Sequence, residues 1–215
     1  MPDTLLGVLR GLVPPGAGVA WADPRVDRPM MAGEDLPRAV PTRLREFAAG
    51  RHAARTALQA IGVSPVAIAH GADRAPVWPA GIIGSITHTA TDCLAVALHA
   101  GDWRGIGVDL EAAVPLDAAL WETVLRAKER DALMELPEDQ RGLSATRIFC
   151  AKEAAFKAFY PITRTLVGFE VLHIDFDKDG FTGTFQTALP PLAKGGAVWG
   201  RIAQAHGHIV TLAVL

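Results

Sequence analysis

The segment FCAKEAAFKAFYP, Phe149 to Pro161, restricts the fold more than any other stretch of the chain. It is built from strong helix formers and closed by a proline, so it predicts a helix. At ~100° per residue, Phe149, Glu153, Phe156 and Tyr160 share one face. A carboxylate thus interrupts an aromatic stripe that would otherwise be pure core. Burying it unpaired is costly, so Glu153 requires a cation or a metal ion beside it. Lys157 stands one turn further on at the edge of the same face, and Lys152 flanks it on the other side. An i,i+4 Glu–Lys pair on a solvated face is the ordinary explanation of such spacing. The aromatic stripe through Glu153 puts a functional site ahead of it.

At 215 residues, half of them hydrophobic, the chain can bury one substantial core or two small ones. A formal charge of -2 argues against a nucleic-acid binder driven by bulk charge. Any anionic ligand must be held by a local cluster of cations. Cys93 and Cys150 lie far apart in apolar runs and read as buried thiols, neither a disulfide nor a metal pair. MPDTLLGVLRGLVPPG lacks a basic region followed by a long apolar run, and no run is long enough to span a bilayer. A soluble, cytoplasmic protein with no membrane or nucleic-acid partner is expected.

Up to about Pro41 the chain is rich in proline and glycine and reads as irregular, apart from a short strand in GVAWA, Gly18 to Ala22. TRLREFAAGRHAARTALQAIG, Thr42 to Gly62, predicts a helix with Thr42 as N-cap and Gly62 as C-cap. On its wheel Phe47, Ala54, Leu58 and Ile61 form the apolar face, and Arg43 and Arg51 fall on that side. Arg45 and Arg55 point away, as snorkelling surface residues do. Two inward guanidinium groups fit an anion site, because arginine grips phosphate with a fixed fork of donors. Between His70 and Thr89 the density of glycine and proline marks loops, broken by the short apolar pair Ile82–Ile83. GSITHT gathers small residues and hydroxyls around His88, so backbone N–H groups could approach a phosphate there. Taken alone, a histidine in a turn is more often incidental than a ligand. CLAVALHA, Cys93 to Ala100, reads as a buried strand.

GIGVDLE, Gly105 to Glu111, is the second informative element. In a strand alternate side chains share a face. Ile106, Val108 and Leu110 pack one way; Gly105, Gly107, Asp109 and Glu111 face the other. Two carboxylates side by side raise each other's pKa unless a cation sits between them. An amphipathic edge strand with its acids in water has the same spacing. The sharper reading is a hard cation held by Asp109, Glu111 and one further oxygen ligand, and Mg²⁺ suits few carboxylates plus a substrate phosphate.

Helical periodicity resumes from about Leu116 to Leu136, followed by a polar loop, Pro137 to Gly142. FEVLHIDFDKDGFTGTFQTAL alternates as a hairpin turning at Asp179–Gly180. Asp175, Asp177 and Asp179 imitate the start of a calcium loop, but Gln186 stands at the twelfth position and strands flank it, so calcium is rejected. WGRIAQAHGHIVTLAVL supplies two closing strands. The polar residues thus sort into Arg43, Arg51 and His88 for phosphate, and Asp109, Glu111 and Glu153 for metal, with Lys152 and Lys157 beside the latter. Together they suit Mg²⁺ on a pyrophosphate that is to be cleaved.

WPAGIIGSITHT, GIGVDLE and FCAKEAAFKAFYP, in that order and spacing, resemble the three motifs of the 4′-phosphopantetheinyl transferases. The length and RHAAR, Arg51 to Arg55, are similar to the monomeric class that includes the surfactin and enterobactin-synthase enzymes, above all its actinobacterial members. The resemblance runs from about Arg43 to Phe169. It implies an α+β fold of two similar halves related by a pseudo-twofold, each a small antiparallel sheet packed on a long helix. Residues 1–103 would bind the nucleotide phosphates and 104–215 would carry Mg²⁺ binding and catalysis. It further implies transfer of the phosphopantetheine arm of coenzyme A to a serine of an apo acyl or peptidyl carrier domain, in fatty-acid, polyketide or nonribosomal peptide and siderophore synthesis. Asp109, Glu111 and Glu153 match the metal ligands, for Mg²⁺ or Mn²⁺. Lys157 matches the pyrophosphate lysine and His88 the phosphate histidine. Arg43, Arg51 and Lys152 match the positions that grip the nucleotide phosphates, and His70 the place where relatives carry a lysine; Arg74 and Ser85 join them as coenzyme A contacts. Glu153, Glu129 or a metal-bound water would take the serine proton. A Mg²⁺-dependent nucleotide pyrophosphohydrolase or a non-catalytic coenzyme A module would use the same charges.

Overall fold

A computed structural model describes residues 4–215. Met1 to Asp3, the start of the stretch read above for a leader, lie outside the described residues. Two strands, each followed by a long helix, set the plan. In the first half β1 (Gly18–Ala22) precedes α2 (Pro41–Ala60), and the hairpin of β2 (Ile82–His88) and β3 (Cys93–His99) returns to give the antiparallel order β1-β3-β2. In the second half β4 (Ile106–Ala112) precedes α5 (Glu138–Thr163), and the strands β5 (Leu172–Phe176), β6 (Phe181–Phe185), β7 (Ala197–Ala205) and β8 (His208–Val214) give the order β4-β8-β7-β6-β5. In both halves the strand before the helix pairs antiparallel with the last strand, so one topology is used twice within an α+β fold. Among the described residues no helix is long and apolar enough to cross a membrane.

Alternation along the strands sorts the core into layers. Cys93, Ala95 and Ala97 of β3 pack with Ala20 and Ala22 against α2, small residues that let the helix lie close. Leu94, Val96 and Leu98 face the other way and join Ile106, Val108 and Leu110 of β4, Val210 and Leu212 of β8, and Leu5 and Leu9 in one core shared by both sheets. A third core lies between α5 and the second sheet, around Ile148, Phe159, Ile174, Phe181 and Phe185.

Several local readings are corrected. Leu5–Leu12, within the stretch expected to be irregular, forms helix α1, capped by the Thr4 side chain; its leucines fill the shared core. α2 begins at Pro41, whose fixed φ and missing N–H suit the first helical position, so Val40 and not Thr42 is the N-cap. At its other end Gly62, at φ +80, donates to the Gln59 carbonyl and Val63 to that of Leu58. That left-handed glycine closes the helix as a Schellman turn. His88 ends a regular strand and does not sit in a turn. The stretch after Leu116 breaks into a 3₁₀ turn at Ala118–Leu120 and the short helices α3 (Trp121–Val124) and α4 (Ala127–Met134). The polar loop expected at Pro137–Gly142 is the first turn of α5, which also runs past Pro161 and ends at Arg164 in the left-handed conformation. The hairpin turn expected at Asp179–Gly180 is a four-residue connection in which the Asp177 carboxylate accepts from the N–H groups of Asp179 and Gly180.

Candidate active site

The site forms where β2 lies beside β4, without a ladder between them. Ser85 and Thr87, alternate residues of β2, reach across: the Val108 N–H donates to Ser85 Oγ at 3.1 Å, and Thr87 Oγ1 donates to Asp109 Oδ1 at 3.1 Å. Gly105 and Gly107 make the rest of the β4 face flat. A Cβ on either would stand 2.1 or 1.9 Å from the carbonyl oxygens of Ala158 and Ala154, so α5 rests directly on the strand. This contact brings Glu153 and Lys157 to Asp109 and Glu111. The stripe Phe149, Glu153 and Phe156 is accordingly half-buried; the core face of α5 is its alanine side, with Ala151, Ala154, Ala155, Ala158 and Phe159.

Lys157 Nζ donates to Asp109 Oδ1 at 2.5 Å, and to Thr87 Oγ1 and the Val108 carbonyl at 3.2 Å each. Burial alone would depress its pKa, but Asp109 and Glu153 raise it, and the ammonium stays charged. The other oxygen, Asp109 Oδ2, is buried and accepts no ordinary hydrogen bond among the described residues; the Cys150 thiol, a weak donor, lies near this carboxylate. Burial, then Asp109, pushes Glu111 up to about 7 and raises Glu153 as well. An orphaned carboxylate oxygen between two destabilised carboxylates is a place where a hard cation fits. Among the described residues no three such ligands stand as a ready-made cage.

A second group of residues, linked to Lys157 through His88, is cationic. Arg51 is only 6 % exposed and, among the described residues, makes no ion pair. Its Nε is buried without an acceptor and its guanidinium lies 4.1 Å over the Phe47 ring. Burial lowers its pKa to about 10, still charged at neutral pH. Arg43, half-exposed in the first turn of α2, lies 2.7 Å from His88 Nε2 and also donates to Glu46. Burial, then Arg43, lowers the His88 pKa, so a neutral imidazole accepts from the guanidinium. His70 stacks edge-on to Phe47, with Nδ1 2.9 Å from the Gly71 carbonyl. Arg74, Ser85, Phe156 and Lys157 line one cavity of about 260 Å³ between the halves.

Three expectations fail here. Lys152 is 1 % exposed and its three hydrogens go to Glu129, the Val124 carbonyl and the Phe169 carbonyl, leaving none for a phosphate. Glu129 is no candidate base: its oxygens accept from Lys152 and from the N–H groups of Arg126 and Ile174. Arg55 does not face water; it is buried against Glu34, whose carboxylate also takes the N–H groups of Ile68 and Met31. Helical spacing missed this pairing because Glu34 lies in the irregular segment before α2. Thr87, which touches both Lys157 and Asp109, was also missed. Alternation would have found it had Ile82–His88 been read as a strand, since Ser85 and Thr87 then share a face.

Residues 32–98 match the 4′-phosphopantetheinyl transferase N-terminal domain and residues 105–199 the 4′-phosphopantetheinyl transferase superfamily. The 4′-phosphopantetheinyl transferase PptT of Mycobacterium tuberculosis is 36 % identical over 84 % of this chain and 82 % of its own length. The chain belongs to the 4′-phosphopantetheinyl transferase family. Npt of Nocardia iowensis is 38 % identical over 72 % of this chain and 71 % of its own. Svp of Streptomyces mobaraensis is 36 % identical over 81 % and 73 %. This transferase thus has actinobacterial relatives matched along most of their length.

Proposed function

We propose that this transferase moves the phosphopantetheine arm of coenzyme A onto a serine hydroxyl of an apo carrier domain. One observation carries the reading. Among the described residues two buried polar atoms of opposite character lack partners: Arg51 Nε, on a guanidinium with no ion pair, and Asp109 Oδ2, on a carboxylate whose other oxygen Lys157 holds. A pyrophosphate ester carrying a divalent cation supplies both missing partners. Asp109, Glu111 and Glu153 would hold Mg²⁺, which when bound lowers the cost of charge on the pyrophosphate oxygens.

The chain's own groups do the rest. Arg51 and Arg43, with His88 as a neutral donor or acceptor, hold the nucleotide phosphates; His70, Arg74 and Ser85 line the way in. The Lys157 ammonium, kept charged by Asp109, sits where charge develops on the leaving group. The carrier serine oxygen attacks the β-phosphorus as the bond to the bridging oxygen breaks. Glu153 accepts the hydroxyl proton, and adenosine 3′,5′-bisphosphate leaves. We assign residues 1–103 to the nucleotide side and 104–215 to the metal and proton-transfer side of this reaction.

Incubation with coenzyme A, Mg²⁺ and an apo acyl carrier protein tests the proposal by the mass of the carrier. Wild type should add one phosphopantetheine, and Glu153→Gln should lose transfer even at saturating Mg²⁺. Cleavage of coenzyme A without modification of the carrier would make the protein a pyrophosphohydrolase. Binding without either would make it a coenzyme A module.

A further inference from the structure

The turn at residues 70–76 carries more constraint than a surface loop needs. A bridge pairs His70 with Pro76, Gly71 donates to the Ala75 carbonyl at 2.8 Å, and Arg74 donates back to Gly71 at 2.9 Å. This winding puts Arg74 at φ +67, a left-handed conformation that is uncommon for a side chain of its size. Asp73 secures it from both sides. Its Oδ1 accepts from the Ala75 N–H at 3.1 Å, within the turn. Its Oδ2 accepts from Tyr160 Oη and Arg164 Nη1, at 2.9 Å each, across the cleft.

Both donors lie at the C-terminal end of α5. Tyr160 is fixed by packing against Phe156, with ring centroids 5.2 Å apart. Arg164 is itself left-handed, at φ +50, with its N–H closing on the Tyr160 carbonyl at 2.8 Å. Two strained backbone positions, one from each half, thus meet at one carboxylate. Strain of this kind persists only where surrounding contacts over-determine it, and it gathers at ligand clamps. The turn, the helix end and Lys157 line the same 260 Å³ cavity.

We infer that Asp73 is a positioning residue for coenzyme A: by tying the 70–76 turn to the end of α5, it holds Arg74 over the cleft. The inference rests on the reading of this cleft as the coenzyme A site. Asp73 touches no substrate in this scheme and acts through Arg74 alone. Asp73→Ala should therefore raise the Kd for coenzyme A, and its KM, about tenfold, with kcat changed less than about twofold. Arg74→Ala should do the same, and the double variant should be no worse than Arg74→Ala. Asp73→Asn, which keeps one acceptor oxygen but sets an NH2 donor in place of the other and removes the charge, should recover only part of the affinity.

Calorimetric titration of coenzyme A into the full chain, without carrier, gives the Kd, and a melting curve accompanies each variant. Additive effects in the double variant would overturn the inference, as would an unchanged Kd in Asp73→Ala. A raised Kd in Asp73→Ala beside an unchanged Kd in Arg74→Ala would also overturn it, while leaving the coenzyme A reading of the cleft intact. Absence of any coenzyme A binding by wild type would sink both. If Asp73→Ala does not fold, Tyr160→Phe removes one bond while keeping the ring. It should raise the Kd by a smaller factor, and again not in the Arg74→Ala background; an unchanged Kd overturns the inference.

Discussion

Arg51 costs the ligand-free protein stability. A base whose folded-state pKa is depressed to about 10 is disfavoured in its charged form by folding, so the penalty is present at every pH below that and relieved only above it. Arg51→Met should therefore raise the stability of the free protein, on the order of 1 kcal/mol, while abolishing the rise in Tm that coenzyme A gives wild type. A melting curve with and without coenzyme A reads both. A fall in free-protein Tm would mean that the stacking on Phe47 outweighs desolvation. Thr87 poses the opposite case, a neutral side chain holding two charged ones. Thr87→Val keeps the shape but frees Asp109 and Lys157 from their shared hydroxyl. kcat should fall about 10–100-fold with the Kd for coenzyme A unchanged, measured by carrier modification and calorimetry.

At the scale of elements, the close approach of β4 to α5 orders the acidic wall; the acidic face itself was legible, since GIGVDLE places two glycines and two carboxylates on one side. What the sequence does not carry is what those glycines meet, the backbone oxygens of Ala154 and Ala158. Gly107→Ala would drive a methyl into that backbone and should cost about 1–3 kcal/mol or more, read as a lower Tm, with activity lost in proportion to the displacement of Asp109 from Glu153. Lys152 was misread for the complementary reason. Helical spacing sets it beside Glu153, but its partner Glu129 comes from α4, and an ion pair between separate helices leaves no periodic trace. Lys152→Met should destabilise by about 3–5 kcal/mol, because it strands a buried carboxylate. Lys152→Met with Glu129→Gln should recover part of this in denaturant melts, and the Kd for coenzyme A should match wild type in both. The N-terminal helix α1 escaped because its glycines mask a leucine pattern only eight residues long.

At the scale of the whole molecule, the plan of two similar halves followed from the family resemblance, since the residues themselves show no repeat, and the manner in which the halves join was not legible. Leu94, Val96 and Leu98 from one sheet and Ile106, Val108 and Leu110 from the other bury one another, with Leu5 and Leu9 of α1 between them. Residues 1–103 expressed alone should therefore expose that surface and fail to show the dispersed NMR spectrum of a folded protein; a folded fragment would refute the shared core. The connection from Ala100 to Arg104 crosses the seam almost wholly exposed. Opened there, the chain becomes two pieces, each of which supplies what the other lacks: a hydrophobic surface for folding and one wall of the cleft for chemistry. On the proposed reading neither piece has a complete binding site, so their reunion is a logical AND, and added coenzyme A should drive complementation.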